Sequence, residues 1–169
     1  MPSWNALRNT WTNLVLQWHR EQPRNASVTN RMAVLLISPD YALRESLAAL
    51  SLVNGWDVYW ADSGGDAVRI LTRRPIPLVI CDEEATGSWR NIVEQIAFLP
   101  RSTCVLLISR FCDAALRAEA VRCHAYDVIA KPLNWDEVTG YAQFTWAWYT
   151  SGMGSWWTPA AAGSAADGR

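Results

Sequence analysis

Short apolar runs alternate with longer amphipathic segments between residues 33 and 150. Five runs have the length and composition of strands, and they cover residues 33–38, 57–61, 78–82, 104–109 and 127–130. All but the second are nearly continuous in apolar residues, which is typical of strands buried on both faces of a parallel sheet. The alternation predicts an α/β fold built from βα units.

The segment after the first strand has a clear helical pattern. Leu43, Leu47, Leu50 and Val53 recur at spacings of three or four and form one apolar stripe. Gly55 follows, and glycine tolerates the positive φ with which many helices end. The pattern predicts a helix that covers the sheet and ends at this glycine.

Two apolar stripes run along the predicted last helix, residues 134–149. One stripe can cover the sheet, whereas the other needs a second partner, which is either another protein surface or an amino-terminal helix of the same chain. The first stripe consists of Trp135, Val138, Ala142 and Trp146, and the second of Tyr141, Phe144 and Trp148. A homodimer contact is therefore one prediction for the second stripe.

Residues 1–30 form an extension before the first strand. Large apolar residues recur there at alternating spacings of three and four, which predicts an amphipathic helix; they are Trp4, Leu7, Trp11, Leu14 and Trp18. Two heptads are short for a coiled coil, so docking on the domain is favoured over pairing with a second copy. Translation from Met32 is an alternative that would omit the extension.

Residues 151–169 are rich in Gly, Ala and Ser, which predicts a disordered tail. The folded domain is therefore expected to span residues 31–150.

The composition narrows the classes of function. The 169 residues are 50% hydrophobic and carry a formal net charge of -1. The chain lacks a basic block and an apolar stretch of roughly 20 residues, so we expect no nucleic-acid or membrane partner and a cytoplasmic location. The four cysteines follow no CxxC spacing and predict reduced core thiols, while Cys123-His124 offers too few ligands for a zinc site.

Three polar residues mark the ends of the later strands. Asp82 and Ser109 end the third and fourth predicted strands, and Lys131 follows the fifth. Ligand chemistry in open α/β sheets collects at the carboxyl ends of the strands. A carboxylate there can attack a phosphoryl group, an ammonium group can offset charge on the transferred oxygens, and a hydroxyl can bond one of them. Each residue alone is ordinary, but the three in order predict a phosphoryl-accepting site.

The same segments resemble the receiver domain of bacterial two-component response regulators over about residues 32–150. The motifs that carry the resemblance are VLLISPD at 34–40, ALRE at 42–45, LVICD at 78–82, VLLIS at 105–109 and HAYDVIAKP at 124–132. The resemblance implies a three-layer, flavodoxin-like (CheY-like) sandwich with strand order 2-1-3-4-5. It also implies that Asp82 accepts phosphate from a histidine kinase, that Ser109 is the switch hydroxyl and that Lys131 contacts the phosphate.

The acidic corner of receivers is altered. Receivers usually hold Mg²⁺ with two acids at the end of strand one, and Ser38 and Pro39 occupy those positions here. The other magnesium ligands that the resemblance implies are Asp82 and the backbone carbonyl of Glu84. Asp40 is a further candidate, but it lies one residue too late and fits a helix-capping role better. We therefore expect Mg²⁺ binding to be weak or absent, because Mg²⁺ requires hard oxygen ligands.

Further departures affect the switch. Val128 stands where receivers have an aromatic residue, three positions before the lysine, and the acidic loop 83–87 lacks the Pro-Gly pattern of the family. Arg110 replaces a small residue after Ser109. Our hypothesis is that Arg110 gives Asp82 a fixed positive charge in place of the metal.

Two functions fit these observations, neither of them enzymatic. The first is a single-domain receiver of a phosphorelay that acts through contacts with a histidine kinase or another signalling protein. The alternative is a pseudo-receiver whose contacts do not depend on phosphorylation. Partner docking is expected on the fourth helix, fifth strand and fifth helix, where the surplus aromatic residues lie. A weaker alternative is a small metal-dependent phosphatase that uses Asp82 with Glu83 or Glu84, for which no second catalytic motif is present.

Overall fold

The computed structural model describes residues 31–99 and 103–151. These residues form a five-stranded parallel sheet with helices on both faces. The strands are β1 Ala33–Ile37, β2 Asp57–Ala61, β3 Leu78–Asp82, β4 Cys104–Ser109 and β5 Asp127–Ala130. The helices are α1 Tyr41–Asn54, α2 Gly64–Arg73, α3 Trp89–Ala97, α4 Ala114–Arg122 and α5 Trp135–Thr150. No helix in these two ranges is long and apolar enough to cross a membrane.

The order of the strands is β2-β1-β3-β4-β5, which confirms the predicted flavodoxin-like sheet. The first strand ends one residue earlier than predicted, at Ile37. The chain turns there because the hydroxyl of Ser38 accepts the backbone N–H of Asp40 at 3.0 Å. The predictions for residues 1–30 and for the tail beyond residue 151 lie outside the described residues.

Each face of the sheet buries its own apolar layer. Successive side chains of a strand point to opposite faces. In β1, Val34 and Leu36 therefore pack with residues of α1 and α5, whereas Leu35 and Ile37 pack with residues of α2, α3 and α4. This double burial explains why β1, β3 and β4 are continuous in apolar residues.

Side-chain caps set the first residue of several helices. The carboxylate of Asp40 accepts the backbone N–H groups of Ala42 and Leu43 at the start of α1. Asp113 and Asn134 cap α4 and α5 in the same way. Such caps satisfy backbone donors that the first turn of a helix leaves free. The predicted capping role of Asp40 is confirmed.

Two helices end with a residue in the left-handed conformation. Gly55 follows α1 with a φ of 68°, as predicted, and His124 follows α4 with a φ of 75°. The N–H of Ala125 donates to the carbonyl of Ala120 at 2.8 Å, and that of His124 donates to the carbonyl of Val121 at 3.0 Å, which is a Schellman motif. This motif turns the chain into β5, and Lys131 directly follows that strand.

The cysteines are free, and Cys81, Cys104 and Cys123 are buried while Cys112 is half-buried. The prediction of core thiols is confirmed for Cys81, Cys104 and Cys123 but not for Cys112. Burial raises the pKa of Cys81 to about 12, with a contribution from the charge of Asp82, and burial likewise raises the pKa of Cys104 to about 12. Both thiols therefore remain protonated at neutral pH.

The two stripes of α5 differ from the prediction in one respect. Val138 and Ala142 of the first stripe are buried under the sheet, as expected. Tyr141 of the second stripe is only 5% exposed, because its hydroxyl donates to Asp127 Oδ2 at 2.6 Å inside the domain. The placement of Tyr141 on an interaction surface is therefore wrong. The other members of that stripe, Phe144 and Trp148, are half-buried.

Candidate functional site

The carboxyl ends of β3, β4 and β5 meet at one edge of the sheet. Asp82 ends β3, Ser109 ends β4 and Lys131 follows β5. Backbone hydrogen bonds hold these ends side by side: the N–H of Lys131 donates to the carbonyl of Ser109 at 2.8 Å, and that of Glu83 donates to the carbonyl of Ile108 at 3.0 Å. The sheet thus makes the three residues predicted from the sequence neighbours.

Asp82 carries a fully buried carboxylate that accepts four hydrogen bonds. The ammonium group of Lys131 donates to Oδ1 at 2.8 Å and to Oδ2 at 2.7 Å, and the Asp82 side chain is 0% exposed. The hydroxyl of Ser38 donates to Oδ2 at 2.7 Å, and the backbone N–H of Glu84 donates to Oδ1 at 3.0 Å. A carboxylate has about four acceptor positions, so these donors satisfy it fully. Such satisfaction is what allows a charge to be buried here.

Lys131 supplies the positive charge at this site. Its side chain is 11% exposed, and its Nζ also lies 3.2 Å from Oε2 of Glu84. Burial by itself lowers the pKa of Lys131, but the hydrogen bonds to Asp82 and Glu84 and the charges of both acids outweigh that effect and raise the pKa above its ordinary value. Lys131 is therefore a cation at neutral pH and balances the buried carboxylate.

Arg110 has a different partner from the one that we predicted. Its guanidinium Nη2 lies 3.1 Å from Oε1 of Glu84, and Arg110 is exposed. Lys131 already holds both oxygens of Asp82, and Arg110 therefore stays at the rim and pairs with Glu84. Positive and negative side chains alternate along the series Arg110, Glu84, Lys131 and Asp82. The cation in direct contact with the Asp82 carboxylate is Lys131.

The hydroxyl of Ser109 is engaged in the turn that follows β4. It accepts the backbone N–H of Phe111 at 3.0 Å and donates to the carbonyl of the same residue at 3.2 Å. Ser109 is completely buried. A contact between this hydroxyl and a phosphoryl group on Asp82 would require it to leave Phe111, so its switch role stays a prediction.

The end of β1 presents a hydroxyl instead of an acid. Ser38 is buried, and its carbonyl accepts two hydrogen bonds from the guanidinium of Arg44, at 3.3 and 2.7 Å. Arg44 also pairs with Asp62. The carboxylate of Asp40 points at the backbone of α1, where it serves as the cap. The sequence analysis missed the hydrogen bond from Ser38 to Asp82, although the alignment of Ser38 with an acid of the receiver site was the signal for it.

A second polar network, also missed, surrounds Val128. Val128 is buried in the core, and Sγ of Cys112 lies 3.7 Å from its carbonyl oxygen. Nε of Arg117 lies 3.3 Å from that sulfur, and Nη1 of Arg117 lies 3.5 Å from Oδ1 of Asp127. Asp127 in turn accepts the hydroxyl of Tyr141. This network ties α4 to β5 and α5 around Val128.

A magnesium ion does not fit this set of donors. Mg²⁺ takes oxygen ligands in octahedral geometry, usually from one or two carboxylates. Here both oxygens of Asp82 bind the ammonium of Lys131, and Ser38 offers a neutral hydroxyl. Within residues 31–99 and 103–151, no group of three or more His, Cys, Asp or Glu side chains is arranged to hold a metal ion. Side chains of this chain therefore balance the charge of Asp82.

Sequence comparison finds remote relatives that are transcriptional regulatory proteins. No family model matches the sequence. The chain is 26% identical over 112 residues to the transcriptional regulatory protein ZraR of Salmonella typhimurium, a match that covers 66% of this chain and 25% of ZraR. The chain thus spans about a quarter of the length of the curated relatives that it matches.

Solved structures are more informative. The signal receiver domain of an HD domain-containing protein from Pseudomonas fluorescens Pf-5 superimposes with a TM-score of 0.67 at 21% identity, covering 76% of this chain and 96% of that one. The chain described here therefore has the receiver-domain fold. A second receiver domain, that of Saccharomyces cerevisiae Ssk1 in complex with the histidine phosphotransfer protein Ypd1, matches with a TM-score of 0.59 at 16% identity, over 67% and 87% of the chains. In the receiver fold described here, Asp82 and Lys131 form a buried pair at the carboxyl edge of the sheet.

Proposed function

We propose that the protein is a receiver module of two-component signal transduction, with Asp82 in the phosphoacceptor position and with an output made of contacts to other signalling proteins. The observation that carries the proposal is the buried carboxylate of Asp82 at the end of β3, paired with Lys131 at the end of β5. Similarity to ZraR and to solved receiver domains supports it. The proposed role requires no enzymatic activity beyond acceptance of a phosphoryl group.

Phosphorylation would form a bond between phosphorus and one oxygen of Asp82 and break the bond from phosphorus to its donor, such as the ring nitrogen of a kinase histidine. Both carboxylate oxygens are occupied, so one of them must first give up a hydrogen bond from Ser38 or Lys131. Lys131 would then offset charge on the transferred oxygens. The same site can therefore accept a phosphoryl group only after a local rearrangement.

A second candidate function is a pseudo-receiver that binds its partners without phosphorylation. The specific observation in its favour is the Ser38 hydroxyl, which donates to Asp82 where the family has a metal-binding acid. Together with Lys131 it keeps the carboxylate neutralised and shielded. The protein would then bind its partners through the surface of the folded domain, without any change at Asp82.

Phosphoryl loading separates the two candidates. We expect that a small-molecule phosphodonor with Mg²⁺ adds one phosphoryl group to the protein, seen by intact mass, and that Asp82→Asn abolishes the gain. Loading should be slow, because the carboxylate is fully hydrogen-bonded. A folded protein that gains no mass under these conditions would leave the pseudo-receiver as the function, and a gain that survives in Asp82→Asn would remove Asp82 from the acceptor position.

The contact surface that we propose lies on α4, β5 and α5. A histidine kinase or related signalling protein is the proposed partner, in line with the Ssk1 receiver domain, which was crystallised with a histidine phosphotransfer protein. For contact between two copies we propose Phe144 and Trp148, which stay half-buried after Tyr141 is taken into the domain.

Replacing both Phe144 and Trp148 by Gln should weaken self-association at least about tenfold, because large aromatic anchors dominate interface energetics. Sedimentation velocity over a range of concentrations measures this. An association unchanged by the double substitution would contradict the proposed contact.

A further inference from the structure

A groove with an excess of positive charge lies along β2 and α2. Its volume is about 750 Å³, and residues 59–62 line one side while residues from α2 and from the turn after it line the other. Three exposed arginines point to an anionic ligand: Arg69 and Arg73 of α2, and Arg74 directly after the helix. β2 and β5 are the two edges of the sheet, so this groove is separate from the contact surface on α4, β5 and α5. We call it the β2 groove.

The two acids that line the β2 groove already have basic partners. Asp62 pairs with Arg44, which also binds the carbonyl of Ser38, and Asp66 pairs with Arg69 on the next turn of α2. These pairs leave little negative charge to balance the remaining arginines of the groove.

Arg73 and Arg74 supply that unbalanced charge. Within residues 31–99 and 103–151, neither of them forms an ion pair with an acid. The guanidinium of Arg74 donates to the hydroxyl of Tyr59 at 3.0 Å and lies 5.0 Å from the centre of that ring. Tyr59 therefore holds Arg74 against β2, where its charge faces the groove.

The wall of the groove at Trp60 is main chain. The side chain of Trp60 packs with the apolar layer on the opposite face of the sheet, yet Trp60 lines the groove. The N–H of Asp57 donates to the carbonyl of Met32, next to β1, and successive residues of a strand bond alternately to its two sides. The N–H and C=O of Trp60 therefore point to the outer edge of β2, with which no described strand pairs.

We propose that the β2 groove binds an extended acidic segment of a partner protein, which adds a strand to the outer edge of β2. Main-chain hydrogen bonds to Trp60 would give affinity, and alternate side chains of the segment would face the arginines. Arg69 and Arg73 are one helical turn apart, about 6 Å. Alternate residues of a strand are about 6.7 Å apart, so acids at alternate positions can each bind one arginine. The ion pair of Arg69 with Asp66 is exposed and contributes little, so Arg69 can turn to a new carboxylate.

The charge of this chain favours another protein as the source of the segment. Residues 1–30 contain three arginines and one glutamate, and residues 152–169 contain one aspartate and one arginine. Neither segment offers the alternating acids that the arginines would attract. A small anion would use the arginines alone, whereas a strand also satisfies the main-chain groups at the edge.

Fluorescence anisotropy with the full chain and a short labelled peptide that alternates glutamate with threonine tests the proposal. We expect this peptide to bind at least about tenfold more tightly than its glutamine counterpart. Arg73→Gln should weaken binding about tenfold, because charge-assisted hydrogen bonds are lost. Arg122→Gln is the matched control: Arg122 is the last residue of α4 as Arg73 is of α2, and both are exposed. It should change binding less than about twofold, since a distant exposed charge is screened by salt.

A peptide with methylated backbone nitrogens tests the strand itself. Methylation at alternate residues removes the donors that would bond to Trp60, and in one of the two alternate patterns it should abolish binding. The proposal is overturned if the glutamate peptide does not bind, or if Arg122→Gln weakens it as much as Arg73→Gln does. It is also overturned if both methylated peptides bind as well as the parent, which would mean that the groove holds anions without pairing a strand. None of these readouts depends on phosphoryl loading of Asp82.

Discussion

Substitution of Lys131 by Met is expected to lower the free energy of unfolding by about 3 kcal/mol at neutral pH. The ammonium donates to both oxygens of Asp82, whose side chain is 0% exposed, so its removal leaves a buried carboxylate without a counter-charge. The hydrogen bonds from Ser38 and from the backbone of Glu84 remain, which places the cost at the lower end of the range for broken buried pairs. Urea unfolding of the variant and the parent chain measures the difference.

A double-mutant cycle separates this pairing from the loss of the lysine itself. In Lys131→Met with Asp82→Asn, the buried group is neutral, and most of the lost stability should return. Arg110→Met is the matched control, because it removes a cation from the exposed end of the same series of charges and should cost under about 1 kcal/mol. A loss in Lys131→Met no larger than that of Arg110→Met would show that Lys131 does not neutralise Asp82.

Most of the fold follows from local sequence patterns, although Val53, which the predicted stripe of α1 placed toward the sheet, is 84% exposed. Residues 78–82 and 104–109 read as strands because they are continuously apolar, and the sheet buries them on both faces. Gly55 ends α1 because a backbone with positive φ is required there. These features depend on the chain near each residue, so the sequence alone predicts them.

Side-chain partners depend on distances across the fold and were harder to predict. The order of Asp82, Ser109 and Lys131 along the chain indicated a common edge, but nothing in the sequence shows that the lysine reaches both oxygens of Asp82. The position of Arg110 after β4 predicted an ion pair with Asp82. In the structure its guanidinium pairs with Glu84 instead.

Tyr141 illustrates a second limit. A tyrosine on a helix fits an interface as well as a core, because its ring is apolar and its hydroxyl is polar. Burial is favourable here since Asp127, at the start of β5, accepts that hydroxyl. The register that brings α5 over Asp127 is a property of the assembled layers, and the periodicity of α5 alone does not contain it.

Substitution of Ser38 by Asp is expected to create a divalent-cation site and is the second large effect. The hydroxyl of Ser38 lies 2.7 Å from Oδ2 of Asp82, so an aspartate there places two carboxylates against each other in a buried site. Without metal the repulsion should cost about 2 kcal/mol of stability. With Mg²⁺ the two acids supply the hard oxygen ligands that the parent site lacks. A cation at about 100 times its dissociation constant would then return about 2.7 kcal/mol.

Urea unfolding with and without Mg²⁺ measures this dependence, and Ser38→Asn is the control because it has nearly the same shape without the charge. We expect Mg²⁺ to stabilise only the Asp variant. Phosphoryl loading of Asp82 should also become faster in that variant, because a cation shared by both acids would draw Lys131 away from one oxygen of the nucleophile. If Ser38→Asp remained indifferent to Mg²⁺ while still folded, the missing acid could not account for weak Mg²⁺ binding at this site, and competition from Lys131 would be the cause to test next.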